Sequence, residues 1–309
     1  MVSSVKVVNS PAAHHRGFGR WAFSAIGAAM IAVLLSACSP SGETDPVHLL
    51  SGEIIEVDAD AGKLLVEHGD IPGLLEAGAT AFRVSRGDLA NAKAGQRVRA
   101  RVVESGGEKR LEQIWPDDRL SRGIIDQTTL ALRQDTMTRG SRAFREVGEE
   151  APAFALFNQD GEVVRINRYR GKALVVNFIY TRCPVPHMCP AATLRMAQLQ
   201  EEARDAGIED FELISITLDP DFDTPGVLRE YADRYDIDTE NFSFLTGPQN
   251  AINDLMAQMG IIIEGDVSNH TLGTALIDPA GTIRHRVFGS NWMVSDFLER
   301  LKALQEEPT

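Results

Sequence analysis

The chain has 309 residues, of which 31 are Lys or Arg and 44 are Asp or Glu, giving a formal charge of −13 with 43% hydrophobic residues. Such a length allows about two domains. The acidic excess argues against nucleic acid as a partner, because a net negative surface repels a phosphate backbone.

Residues 1–38 read as an export signal. Lys6, Arg16 and Arg20 make a basic segment free of acidic residues, and residues 22–35 make an apolar stretch too short for a comfortable membrane span. Leu35-Ser36-Ala37-Cys38 ends it and resembles the lipobox of bacterial lipoproteins. The resemblance implies that Cys38 is lipidated and becomes the new N-terminus. The body is then expected in the bacterial cell envelope, outside the cytoplasm, held to a membrane by a lipid anchor. An uncleaved N-terminal anchor is the competing reading.

Residues 47–116 follow a β pattern. Gly52-Glu53-Ile54-Ile55-Glu56-Val57 and Lys63-Leu64-Leu65-Val66 flank the turn Asp58-Ala59-Asp60-Ala61-Gly62. Val98, Ala100 and Val102 alternate with Arg99 and Arg101, and Ser105-Gly106-Gly107 turns the chain toward Leu111-Glu112-Gln113-Ile114-Trp115. Short alternating strands with glycine turns predict a small antiparallel barrel. His68-Gly69-Asp70-Ile71-Pro72-Gly73-Leu74-Leu75-Glu76-Ala77-Gly78-Ala79-Thr80-Ala81-Phe82 resembles the H-x-x-I-P-G-x-M-x-A-M-T-M-x-F stretch of CusF-like copper-binding barrels. The histidine and the Ile-Pro-Gly turn are kept, while Leu75, Gly78 and Thr80 occupy the methionine positions. Thioethers are the soft ligands that select Cu(I). Without them the barrel reads as degenerate and non-metallated, and His68 as a surface residue.

Residues 117–148 are polar and read as a linker with room for one docking helix, on the partly periodic positions Ile125, Leu130, Leu132 and Met137. From residue 149 to residue 305 strands and helices alternate. Residues 173–180, 211–218, 274–277 and 281–288 read as strands. Helices follow Pro190, Pro225 and Pro248 and begin near Val294, each with apolar positions three and four residues apart. The expected fold is an α/β mixed sheet with helices on both faces, preceded by the small all-β barrel.

Two cysteines stand in Tyr180-Thr181-Arg182-Cys183-Pro184-Val185-Pro186-His187-Met188-Cys189-Pro190, between a strand and a helix. With Cys38 assigned to the signal, these two thiols are what the body keeps for chemistry. Soft thiolates so placed exchange electrons with another dithiol or hold a soft metal; a structural disulfide is the bland alternative. Pro190 suits a first helical turn, so Cys189 is expected near a helix N-terminus whose dipole favours thiolate.

Several stretches resemble the Sco/SenC family of thioredoxin-fold copper proteins. They are Ala151-Pro152-Ala153-Phe154-Ala155-Leu156, Arg170-Gly171-Lys172, Asn177-Phe178-Ile179-Tyr180-Thr181-Arg182-Cys183-Pro184, Asp219-Pro220-Asp221-Phe222-Asp223-Thr224-Pro225 and Phe244-Leu245-Thr246-Gly247. His270 precedes Leu276-Ile277-Asp278 at the distance of that family's metal-binding histidine. The resemblance implies a thioredoxin-like domain in which Cys183, Cys189 and His270 hold copper, as Cu(I) and accessibly as Cu(II). It also implies an oxidase subunit that receives the copper and a thiol reductant as partners. One departure stands out. Five residues separate the cysteines where the family has three, and His187 and Met188 add donors inside that loop. A longer loop costs only about 0.5 kcal/mol more to close. Copper delivery or thiol reduction at a respiratory oxidase is the first expectation. A thiol-disulfide oxidoreductase or thiol peroxidase cycling Cys183 and Cys189 is the second, and a copper or redox sensor the third.

Overall fold

The computed structural model describes residues 48–140 and 143–307. Five strands, β1 (His48–Asp58), β2 (Lys63–His68), β3 (Gly78–Arg83), β4 (Arg97–Ser105) and β5 (Glu108–Pro116), close into a barrel in the order β1-β2-β3-β5-β4. Period-two alternation dictates what it encloses. Leu50 and Ile54 of β1, Leu64 and Val66 of β2, Phe82 of β3 and Val98, Ala100 and Val102 of β4 all point inward. His68 corrects the sequence reading: it is 5% exposed, not a surface residue. Its Nδ1 donates to the Gly69 carbonyl at 2.7 Å, which leaves Nε2 to accept from the Thr80 hydroxyl at 2.9 Å. Thr80, at a methionine position of the copper-binding pattern, thus serves as a hydrogen-bond partner of the ring.

The polar stretch after the barrel forms α2 (Arg119–Arg139), capped by the Asp118 carboxylate, which accepts from the Ser121 amide at 2.8 Å. Ile125, Thr129 and Leu132 form its buried face. Leu130 and Met137, read from the sequence as part of that face, are 70% and 68% exposed. They lie outside the stripe that a 3.6-residue period assigns to Ile125, Thr129 and Leu132.

The remaining chain builds a seven-stranded mixed sheet of β6 (Ala155–Asn158), β7 (Val163–Arg165), β8 (Ala173–Ile179), β9 (Phe211–Thr217), β10 (Phe242–Thr246), β11 (Gly273–Ile277) and β12 (Ile283–Phe288). Their order is β12-β11-β8-β9-β10-β6-β7, with β8, β9 and β10 mutually parallel. Every residue of these three strands is buried, so both sheet faces are covered. The helices are α3 (Cys189–Asp205), α4 (Pro225–Arg234), α5 (Gln249–Met259) and α6 (Val294–Glu306). This is a thioredoxin-like arrangement behind a barrel. Strand β11 runs antiparallel to β8, with Thr274 opposite Asn177. That register sets the start of β11 beside the end of β8, where the cysteine loop leaves the sheet.

Barrel and sheet lie within one compact unit. A short helix between β3 and β4, α1 (Arg86–Asn91), packs on α4. The closeness of that crossing requires glycine on both sides: a β-carbon at Gly87 would stand 2.0 Å from the Gly226 carbonyl oxygen, and one at Gly226 would stand 2.1 Å from the Asp88 carboxylate. The Gly87 amide donates to Glu230 at 2.9 Å and Asn91 donates to the Gln159 carbonyl at 2.7 Å. Gly87→Ala is therefore expected to overpack the crossing by about 1–3 kcal/mol and lower the unfolding midpoint by about 2–10 °C. Gly69→Ala, where a β-carbon meets nothing within 4 Å, serves as the control. Equal midpoints for the two variants would contradict a tight docking of α1 on α4.

Candidate metal centre

The cysteine loop leaves β8 through Tyr180, which is buried. Its first residues are clamped by the turn after β9. Asp223 accepts from the Thr181 amide at 3.0 Å, from the Thr217 hydroxyl at 2.6 Å and from the Thr181 hydroxyl. Next to it the Arg182 guanidinium donates to Asp219 at 2.6 Å and lies 4.0 Å above the Phe222 ring. Pro184, Pro186 and His187 are exposed, while Met188 is half-buried against the core and its amide returns to the Val185 carbonyl at 3.0 Å. Helix α3 then opens at Cys189 with Pro190 in its first turn.

Two of the three expected ligands meet. The Cys189 Sγ lies 3.7 Å from the His270 Nε2, and the two residues are 0% and 8% exposed. The other ring nitrogen, Nδ1, is 3.0 Å from the Thr271 carbonyl, an acceptor only, so Nδ1 carries the proton and Nε2 presents its lone pair to the sulfur. Burial holds His270 below its ordinary range, which keeps the imidazole neutral at neutral pH. The Tyr180 ring meets it edge-on at 5.6 Å and fixes its plane. Metal distances of about 2.0 Å to nitrogen and about 2.3 Å to sulfur, as for zinc, leave room for one ion bridging this pair. Copper therefore fits the donor set.

Cys189 corrects one expectation. Burial pushes its thiol far up, and the neighbouring Cys183 thiol adds to the rise. A helix N-terminus offers a fraction of a charge. Desolvation of a fully enclosed sulfur outweighs it.

Cys183 is half-buried, and its Sγ lies 3.8 Å from the Val185 carbonyl oxygen. Both cysteines are free thiols. Among the described residues no three His, Cys, Asp or Glu side chains are already gathered into a metal-sized group. Cys183, the third residue of the expected set, stands in the loop apart from the Cys189–His270 contact. His187 is exposed, and His68 is buried in the barrel. Cys38 lies outside the described residues. Among those residues no helix is long and apolar enough to cross a membrane.

Sequence reading assigned no role to Tyr180, Thr181 or Asp223. The Asp-Thr-Pro of the turn was visible, but that its carboxylate is 0% exposed and faces two threonines follows from the fold. Burial raises Asp223 from an ordinary 3.8 to about 6. A carboxyl held above its unfolded value binds its proton more tightly when folded. Its contribution is fully present below about pH 4 and is lost as the pH rises through about 6, by about 3 kcal/mol. Asp223→Asn reproduces the protonated pattern, its carbonyl accepting from the Thr181 amide and the Thr217 hydroxyl and its amide donating to the Thr181 hydroxyl. Denaturant unfolding at pH 4 to 7 is expected to show that loss in the parent and a profile shallower by the same amount in Asp223→Asn. The remaining slope comes from groups such as buried Asp88, which burial also raises to about 6. A variant that keeps the parent's slope would refute this assignment.

The model of the SCO1/SenC family matches residues 143–305, and that described as copper binding periplasmic protein CusF matches residues 47–116. A SCO1 protein homolog of Bacillus subtilis is 35% identical over 98 residues, covering 32% of this chain and 49% of that relative. The match therefore spans about half of that protein. A SCO2-like protein of Rickettsia typhi is 32% identical over 150 residues, 45% of this chain and 70% of that one. The crystal structure of a SCO1/SenC family lipoprotein from Bacillus anthracis is 27% identical, covering 53% of this chain and 99% of that one, with a TM-score of 0.48. With the thiol and imidazole brought together at the end of β8, and the family model spanning more than half of the residues, this chain belongs to the SCO1/SenC family and carries a CusF-like barrel ahead of the family domain.

Proposed function

We propose that the protein binds one Cu(I) ion through Cys183, Cys189 and His270 outside the cytoplasm, and delivers it to, or reduces the cysteines of, the copper site of a respiratory oxidase. The observation that carries this reading is the unprotonated Nε2 of His270 directed at the Cys189 sulfur at 3.7 Å. A buried thiol with a raised pKa is a poor nucleophile, yet a coordinating metal deprotonates a thiol outright. The pocket is thus suited to a soft cation more than to unaided thiol attack. Two thiolates and a neutral imidazole are a donor set that Cu(I) prefers. The periplasmic description of the CusF family and the copper named in it support an extracytoplasmic copper role. Membrane attachment through Cys38, an oxidase subunit as recipient and a thiol reductant as electron source complete the proposal. In the reductive branch, Cys183 and Cys189 become a disulfide while a partner disulfide takes up the two electrons and two protons.

A thiol-disulfide oxidoreductase is the second reading, favoured by the contrast between half-buried Cys183, placed to attack, and enclosed Cys189, placed to resolve. Cu(I) titration against a competing chelator separates the two. One-to-one binding is expected, weakened in Cys183→Ser, Cys189→Ser and His270→Ala by at least the roughly 10- to 100-fold that loss of an outer-shell partner alone costs. Weak binding that ignores His270→Ala, together with rapid turnover of a disulfide substrate, would instead establish the oxidoreductase.

A further inference from the structure

The barrel touches the cysteine loop through one turn. In the pairing of β4 with β5, Arg99 stands opposite Trp115 and Arg101 opposite Glu112, so β5 carries an extra residue there. That bulge contains Gln113, which has φ 52. Among the described residues only Gln113 and Asp236 are non-glycine residues in the left-handed region, a conformation that costs a residue with a β-carbon roughly 1–2 kcal/mol. A bulge turns a side chain out of the direction its strand would give it. Here the Gln113 amide leaves the barrel and donates to the Asp221 carbonyl at 2.6 Å. The bond stands between two clefts, of about 580 Å³ on the Trp115 side and about 450 Å³ on the Phe222 side, while the packed α1–α4 crossing at Gly226 lies just beyond the far end of the turn.

Asp221 lies in the turn that holds the cysteine loop. The Asp223 amide donates to the Asp219 carbonyl at 2.8 Å and the Phe222 amide does so at 3.1 Å, making the turn a single tight unit. From that unit Asp223 grips Thr181, while Asp219 and Phe222 grip Arg182, the two residues immediately before Cys183.

We propose that Gln113 is a positioning residue for Cys183, and that the barrel serves the centre as a brace that holds the Asp219–Thr224 turn against the cysteine loop. The proposal rests on the reading of Cys183 as a functional thiol and needs no copper in the barrel. It assigns the strained backbone a purpose: the left-handed residue is what aims the amide across the gap.

Two full-length variants test it. Gln113→Gly removes the side chain and relieves the backbone, so its unfolding midpoint is expected to equal or exceed that of the parent. Gln113→Glu keeps the shape but has no donor for the Asp221 carbonyl. Alkylation by iodoacetamide, followed at Cys183 and Cys189 separately by mass spectrometry of the metal-free dithiol protein, is expected to quicken at Cys183 about two- to tenfold in both variants, the range for loss of one net hydrogen bond. Cys189, enclosed by the sheet, keeps its parent rate. Release of Cu(I) to a chelator is expected to quicken in parallel. Parent-like alkylation of Cys183 in both variants would overturn the proposal, as would equal acceleration at both cysteines, which signals general loosening. If the thiol rates shift while the parent binds no copper, the brace stands and the copper reading fails.

Discussion

The register between β11 and β8 is the constraint on which the centre depends. His270 and Cys189 are 81 residues apart in the chain, and their meeting at 3.7 Å follows from an antiparallel ladder that sets Thr274 opposite Asn177. A shift of one residue in that ladder would turn every side chain of β11 to the other face. Burial of all five residues of β11 resists such a slip. Packing of the sheet therefore fixes where the His270 ring stands relative to Cys189.

Burial also sets the chemistry of the pocket. It holds the imidazole neutral and the Cys189 thiol protonated, so this buried pair carries no charge within a strongly acidic protein. In the proposed ligation a soft monovalent cation displaces the thiol protons of Cys183 and Cys189, is held by two sulfurs and a nitrogen, and leaves one net negative charge inside. The five-residue spacing places Pro184 and Pro186 between the sulfurs, which limits the shapes of the loop and therefore the movement needed from Cys183. Its anchor is inherited from the turn after β9.

Much of this was legible in the sequence. Four of the five barrel strands, all but β3, announced themselves by alternation, β8 by an apolar run interrupted only by Asn177, and the family by motifs spread from Ala151 to Asp278. What stayed hidden had physical causes. Leu130 and Met137 face outward on α2 because a 3.6-residue period sets them off the Ile125 and Leu132 stripe; grouping all four as one face read apolar character ahead of angular position. His68 looked like a surface residue because its partners, Gly69 and Thr80, become partners only when β2 pairs with β3. A helix N-terminus before Pro190 suggested a thiolate, whereas enclosure of Cys189 by the sheet reverses that inference. Gln113 gave no sign at all, since a left-handed residue at a bulge depends on how two strands are paired.

The central claim, that Cys183, Cys189 and His270 converge on one Cu(I), is tested most directly by X-ray absorption at the copper edge of the one-to-one complex. Two sulfur neighbours and one nitrogen neighbour, the nitrogen lost in His270→Ala, are the predicted result. A shell of sulfur alone, unaltered by that substitution, would contradict it.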